Sequence, residues 1–184
     1  MLLIARGLCY TKNMEKIITT SVEETRKLGE ALAKELKGGE IICLEGELGS
    51  GKTAFAQGML KGLKVEGPYT SPTFLIIKHY KKEIPNPKSQ IPNKSENYKL
   101  QITNYLATPD LAKPDNLQDI YHIDAYRVSS ADILELGWEE IMKNKNNVII
   151  IEWADRIKRI IPKSAIWFKF RLAGKNKRDI RLKT

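Results

Sequence analysis

The residues with the clearest chemical capacity are Gly46, Glu47, Leu48, Gly49, Ser50, Gly51, Lys52 and Thr53, which read GELGSGKT and fit the phosphate-binding pattern G-x-x-x-x-G-K-[ST]. Without a Cβ, the glycines let the backbone turn and come within hydrogen-bonding distance of phosphate oxygens. Successive backbone N–H groups then form an anion nest, closed by the positive end of the following helix. In such a loop Lys52 reaches the β- and γ-phosphates and the Thr53 hydroxyl ligates Mg²⁺.

The pattern has meaning only between a strand and a helix, and the flanking residues supply both. Upstream, Ile41-Ile42-Cys43-Leu44 is a short apolar run of the kind a buried parallel strand shows. Downstream, Ala54, Phe55, Met59, Leu60 and Leu63 recur at helical spacing. A helix is expected before the strand as well. It starts at Ser21-Val22-Glu23-Glu24, a capping box, carries Leu28, Leu32 and Leu36 as one buried stripe, and ends at Gly38-Gly39.

Two carboxylates follow at the ends of later strands. In Ile120-Tyr121-His122-Ile123-Asp124-Ala125-Tyr126-Arg127 the alternation predicts a strand whose end presents Asp124, with Arg127 just past it. Ligands of parallel α/β sheets sit at the carboxyl ends of strands, so this acid is well placed. His122 reads as a structural strand residue, since nothing nearby makes it a nucleophile's partner. In Val148-Ile149-Ile150-Ile151-Glu152-Trp153 an apolar run ends in a carboxylate, a Walker B pattern with Glu152 where Asp is commoner. Such an acid helps to hold Mg²⁺ or its water shell. Trp153 reads equally as a core residue or as a flank of the nucleotide.

Between these motifs lies Gly67-Pro68-Tyr69-Thr70-Ser71-Pro72-Thr73-Phe74, rich in hydroxyls, and then Leu75-Ile76-Ile77, which reads as a strand. The loop is placed either to approach the γ-phosphate as a switch does or to be a plain turn, and the residues leave both open. Ser130 is expected to cap a helix bearing Ile133, Leu134, Leu136, Trp138 and Ile141 on its core side. Ala154 to Ile161 is expected to be a short helix stopped at Pro162, and two basic strands, Ile166–Leu172 and Ile180–Leu182, an antiparallel C-terminal hairpin.

The chain of 184 residues fits one domain with a sizeable core. The domain is expected over residues 14–184, with residues 1–13 as an N-terminal extension. It is interrupted at about 81–118, a segment with five of the eight prolines, five asparagines and six lysines. That composition argues for an exposed polar insertion in which only Tyr98 to Leu106 suggests a weak strand. No apolar run approaches the ~20 residues of a membrane span. Met1 to Tyr10 lacks a basic start and a cleavage pattern, so it is not read as a signal peptide. Cys9 and Cys43 make no metal spacing and suit a reducing, cytoplasmic setting. Of the net charge of +9, residues 156–184 carry +10 and the rest −1. Taken alone this favours a solvated lysine-rich surface, with a face for RNA or an acidic protein as the alternative.

A guanine-reading N-K-x-D is missing, since Asn93-Lys94-Ser95-Glu96 and Asn144-Lys145-Asn146-Asn147 both lack the Asp, so ATP is the expected nucleotide. A small-molecule P-loop kinase is the competing class, but its lid arginines have no counterpart in residues 81–118. A purely RNA-binding module ranks below both.

Taken in order, GELGSGKT, Ser71-Pro72-Thr73-Phe74, Tyr121-His122-Ile123-Asp124-Ala125-Tyr126-Arg127 and a strand ending in Glu152-Trp153 resemble the TsaE (YjeE) family. Those ATPases are needed in bacteria for threonylcarbamoyladenosine modification of tRNA. The match runs over residues 14–80 and 119–182. The resemblance implies an α/β fold, a P-loop NTPase-like, mainly parallel sheet flanked by helices and ending in antiparallel strands. It implies slow hydrolysis of ATP with Mg²⁺, docking onto a TsaB–TsaD pair whose TsaD transfers the threonylcarbamoyl group, and hydrolysis that resets the pair between turnovers. Contact with tRNA would be indirect or through the basic C-terminal face. Carried over by position, Thr53 and Glu152 would hold Mg²⁺, and Asp124 would lie near the γ-phosphate. Lys52, Asp124 and Glu152 would form the catalytic set. Thr73 would sense the γ-phosphate beside the loop residues Glu47 to Thr53, and Ser21 and Thr25 would approach the base. The insertion and the leading residues depart from the family pattern.

Overall fold

The computed structural model describes residues 16–73, 75–81 and 119–183. The expected extension at 1–13, Cys9 and all but the first residue of the expected insertion lie outside these residues.

Seven strands among the described residues form one sheet in the order β1-β7-β6-β2-β5-β4-β3. They are β1 (Ile17–Thr19), β2 (Ile41–Gly46), β3 (Ile77–Lys81), β4 (Asp119–Asp124), β5 (Asn147–Glu152), β6 (Ile166–Leu172) and β7 (Arg178–Lys183). The phosphate-loop strand β2 is central, parallel to β5 on one side and to β6 on the other, and β4 is parallel to β5. Antiparallel pairing appears only at the flanks, where β3 joins β4, β7 joins β6 and β1 joins β7. This is the expected mainly parallel sheet with antiparallel C-terminal strands.

Strand alternation divides the apolar residues of β2 and β5 between two cores. Ile42, Leu44, Val148 and Ile150 join Phe55, Met59 and Leu60 of α2 (Lys52–Gly62) on one face. There the Phe55 ring sits 5.3 Å from Phe168 and 5.4 Å from Phe170, the latter edge-on. Cys43, Ile149 and Ile151 join Ile133, Trp138 and Ile157 on the other. Cys43 is fully buried and its thiol is pushed up to about 12 by that burial. Since the thiolate is the reactive species, Cys43 in a Cys9→Ser variant is expected to resist an aqueous thiol reagent at about pH 8 until denaturant is added. Rapid labelling of the native variant would instead reveal an opening of β2.

Helix α1 (Val22–Ala33) starts as the sequence predicts, with Ser21 Oγ accepting from the Glu24 N–H at 3.0 Å. The Glu24 carboxylate, however, reaches back to the Thr20 N–H at 2.6 Å, one residue before the cap. The expected leucine stripe is corrected too. Leu28, Leu32 and Leu36 are half-buried, and the fully buried line is Thr25, Gly29 and Ala33. The reason is how closely α1 lies on α2. A Cβ at Gly58 would stand 1.9 Å from the Arg26 carbonyl oxygen, and one at Gly29 would stand 2.2 Å from that of Phe55. Only small side chains fit between two backbones at that range. The helix also ends earlier than Gly38-Gly39; those glycines, at φ 110° and 88°, turn the chain into β2.

Three further boundaries move. Ile76 has a left-handed φ of 65° and Leu75 is exposed, so the strand begins only at Ile77. Ser129 rather than Ser130 is the cap, in a reciprocal capping box with Asp132. Gly137, at φ 84°, breaks the expected helix into α3 (Ser130–Glu135) and α4 (Trp138–Lys143). Ile133 and Trp138 are therefore buried, while Leu134 and Leu136 face solvent. After β5 a 3-10 helix, Ala154–Ile160, ends one residue before the predicted limit. The basic hairpin is partly neutralised within the fold, since Lys169 and Lys183 both pair with Glu45 and Arg181 holds Asp179 at 2.8 Å. No helix among the described residues is long and apolar enough to cross a membrane.

Candidate nucleotide site

The loop between β2 and α2 is built by three glycines that no other residue replaces without strain. Gly46 has φ 148°, and a Cβ there would stand 2.4 Å from the carbonyl oxygen of Phe170 in β6. Gly49 and Gly51 adopt φ 76° and 104°, conformations that glycine tolerates. Gly51 is the cap of α2 and offers no side chain to the first turn, so the helix opens with its N–H groups and its positive dipole end available to an anion. Ser50 Oγ is buried in the loop with no hydrogen-bond partner among the described residues.

Lys52 is almost fully buried, with its Nζ donating to the carbonyl oxygens of Gly46 at 2.6 Å and Glu47 at 2.8 Å. The ammonium also stands 3.7 Å from the centroid of the Trp153 ring. Burial lowers its pKa, against the pull of Glu152, Asp155, Asp124 and Glu47. A partly desolvated cation of this kind interacts more strongly with an incoming phosphate than one in bulk water.

Two acids complete the far side. Parallel pairing sets Asp124 opposite Glu152 in the register of β4 and β5, so the two strand-end carboxylates lie side by side. Glu152 is buried; its Oε2 accepts from Thr53 Oγ1 at 2.5 Å and its Oε1 lies 2.9 Å from His122 Nε2. The other ring nitrogen, Nδ1, has no partner among the described residues, so the ring donates through Nε2. Asp124 Oδ2 accepts from Thr73 Oγ1 at 2.6 Å and Ser71 Oγ at 3.2 Å, while Oδ1 accepts from the Tyr126 N–H at 2.9 Å. The hydroxyl-rich loop is thereby tied to the strand-end acid.

Lys52, Thr53, Thr73, Asp124 and Glu152 share a cavity of about 440 Å³. The sequence-predicted residues Leu48, Gly49, Gly51, Lys52, Thr53, Thr73, Asp124 and Glu152 all border it. Glu47 contributes its carbonyl to Lys52 instead, and Ser50, Ser21 and Thr25 are not part of the lining. Both readings of Trp153 fit the fold: it packs, partly buried, against the core of Cys43 and Ile151, and it lines the cavity at φ 57° with its ring 4.8 Å from that of Tyr126. Among the residues that sequence reasoning did not place at the site, His122 and Arg178 stand out. His122 stands behind Glu152, and period-2 alternation, which puts His122 and Asp124 on one face of β4, was the signal for it. Arg178 reaches the cavity from the start of β7, a placement that depends on the return of the C-terminal hairpin and has no local signature.

The donor set suits Mg²⁺ and a nucleoside triphosphate. Thr53 and Glu152 offer hard oxygen ligands at the mouth of a phosphate cradle. No group of three or more His, Cys, Asp and Glu side chains able to hold a metal occurs among the described residues.

Comparison with known proteins points the same way. The family described as Threonylcarbamoyl adenosine biosynthesis protein TsaE matches residues 19–91 and 94–180. The tRNA threonylcarbamoyladenosine biosynthesis protein TsaE of Aquifex aeolicus is 33% identical over 79% of this chain and 92% of its own. That of Bacillus subtilis is 28% identical over 88% of this chain and 80% of its own. The crystal structure of Bacillus subtilis YdiB superposes with a TM-score of 0.60 at 25% identity, covering 91% of this chain and 82% of the other. With the family model matched over most of its length and a relative 33% identical over nearly all of that relative's length, the chain belongs to the TsaE family.

Proposed function

We propose that this protein is a Mg²⁺-dependent ATPase, weak alone, that acts in the cytoplasm with TsaB and TsaD in threonylcarbamoyladenosine modification of tRNA. Hydrolysis resets that complex between turnovers. The observation that carries the reading is the hydrogen bond from Thr53 to Glu152 at the first turn of the phosphate-loop helix, with Asp124 beside it in register. When bound, the metal would offset the charge that develops on the phosphate oxygens.

The chain's own groups divide the remaining work. The N–H groups of Gly49 to Thr53 and the Lys52 ammonium bind the β- and γ-phosphates and stabilise charge that grows in the transition state. Thr53 and Glu152 would hold the metal or its water shell, and His122 fixes the rotamer of Glu152 from behind. Asp124 orients the attacking water and, through Ser71 and Thr73, links the hydroxyl loop to the γ-phosphate position. Exposed Leu48 and Leu75 flank this end of the protein and give a partner an apolar approach to it. Residues 14–184 act as the ATPase domain, with residues 1–13 and the segment at about 81–118 outside the chemistry. Contact with tRNA is indirect or through the basic C-terminal face.

The test is phosphate release from MgATP with and without purified TsaB–TsaD and tRNA. Slow release alone, stimulation by the pair and loss of that stimulation in Asp124→Ala are expected. ATP consumption that depends on a small acceptor and yields a phosphorylated product would replace this reading with a kinase.

A further inference from the structure

We infer that one face of the sheet, over β6, β7 and β1, binds RNA directly. The inference rests on the tRNA role proposed above and decides between its two forms of contact. Strand alternation assigns the side chains. Phe168, Phe170 and Ile180 belong to the core shared with α2, so Trp167, Lys169 and Arg171 of β6 and Arg181 and Lys183 of β7 lie on the opposite face. On that face α3, α4 and the 3-10 helix pack over residues of β2, β4 and β5, with Trp167 partly buried at their border. Beyond it the face is open. Ile18 of β1 is 45% exposed, and the Arg181 and Lys183 side chains are 44% and 43% exposed.

The open face has more cations than its acids neutralise. Glu45 pairs with Lys169 at 3.1 Å and with Lys183, and Asp179 pairs with Arg181 at 2.8 Å and Lys16 at 3.6 Å. Arg171 is exposed and, although opposite Asp179 in register, makes no ion pair among the described residues. Lys169 and Arg181 stand directly opposite each other. Like charges so placed weaken an antiparallel pair, and an anion laid across them offsets that cost. Two features favour RNA over an acidic protein. Cations two residues apart on one strand, as Lys169 and Arg171 or Arg181 and Lys183 are, stand about 6.7 Å apart along it, near the step between successive phosphates. Trp167, with Lys183 Nζ 5.6 Å from its ring centroid, adds an aromatic surface on which an unpaired base stacks.

The experiment is fluorescence anisotropy of a labelled, unmodified tRNA transcript titrated with the full chain over a series of salt concentrations. Arg171→Ala is expected to raise the Kd about fivefold at about 0.1 M salt and to flatten the slope of log Kd against log salt by roughly 0.7–0.9, the share of one phosphate contact. Arg171→Lys keeps the charge and is expected to keep the slope. Lys34→Ala, at the end of α1 on the other side of the sheet, is expected to change neither. No tRNA binding by the wild type, or a response of Arg171→Ala no larger than that of Lys34→Ala, would overturn the inference. Weaker binding of Arg171→Ala to TsaB–TsaD with unchanged tRNA affinity would overturn it too and make the face a protein dock. Phosphate release by the wild type, still stimulated by TsaB–TsaD, would in those cases leave the proposed function standing. Absence of that stimulation, whatever the tRNA result, would overturn the proposed function itself.

Discussion

Replacing Glu152 by Gln is expected to lower ATP turnover by about a hundredfold or more while the protein remains folded. The substitution keeps the shape of a side chain that is 1% exposed, so no cavity opens in the sheet. What it changes is charge and hydrogen-bond sense. The carboxylate accepts from two donors at once, Thr53 Oγ1 on one oxygen and His122 Nε2 on the other. A carboxamide has a single acceptor oxygen, so its NH₂ must face one of those donors, and a metal held there would lose its anionic ligand. The measurement is phosphate release in the presence of TsaB–TsaD over a series of Mg²⁺ concentrations. A fall in turnover with a raised Mg²⁺ requirement is expected, and ATP binding through the loop should persist, because Lys52 and the loop amides are untouched. Turnover equal to wild type at unchanged Mg²⁺ would remove Glu152 from the metal site.

What made this site readable from sequence was the locality of its parts. GELGSGKT is contiguous, and the turn, the N–H nest and the helix start are all encoded within eight residues. Asp124 and Glu152 were readable because each ends a strand, one of alternating and one of apolar residues, and parallel strands deliver their carboxyl ends to one edge. Three other features depend on pairing that no local pattern announces. The contact between His122 and Glu152 requires the register of β4 on β5. Arg178 requires the hairpin to fold back along β6. The anchoring of Thr73 on Asp124 requires the chain to cross from α2 to the far side of β5.

Helix packing was misread for a related reason. Hydrophobic periodicity identifies the side that is apolar, and the leucines of α1 satisfied it. The position of closest approach is decided instead by what is missing from the side chain. Thr25, Gly29 and Ala33, one step round from the leucine line at each turn, let α1 ride on the backbone of α2. The boundary at Gly137 has the same character, since a left-handed residue splits an otherwise continuous apolar pattern into two short helices.

That packing leads to the second large effect. Gly58→Ala is expected to destabilise the protein by about 3 kcal/mol, at the upper end of the cost of overpacking. On helix propensity alone the change should stabilise α2 by about 1 kcal/mol, so the two arguments predict opposite signs. Geometry decides between them. The added methyl would stand 1.9 Å from the Arg26 carbonyl oxygen, 2.7 Å from its carbon and 2.9 Å from its Cα, all backbone atoms that no rotamer change can move. Gly62 repeats the arrangement one turn later, with a Cβ only 2.5 Å from the Glu30 carbonyl oxygen, so α2 cannot tilt away without parting from α1 along its length. For a protein of this size the loss corresponds to a melting temperature lower by roughly 6–12 °C, read by calorimetry or circular dichroism. Because α2 begins at Lys52, any displacement of the helix also carries the phosphate loop with it, and a weaker ATP affinity should accompany the lower Tm. A Tm at or above that of wild type would mean that the helices are not in backbone contact at Gly58.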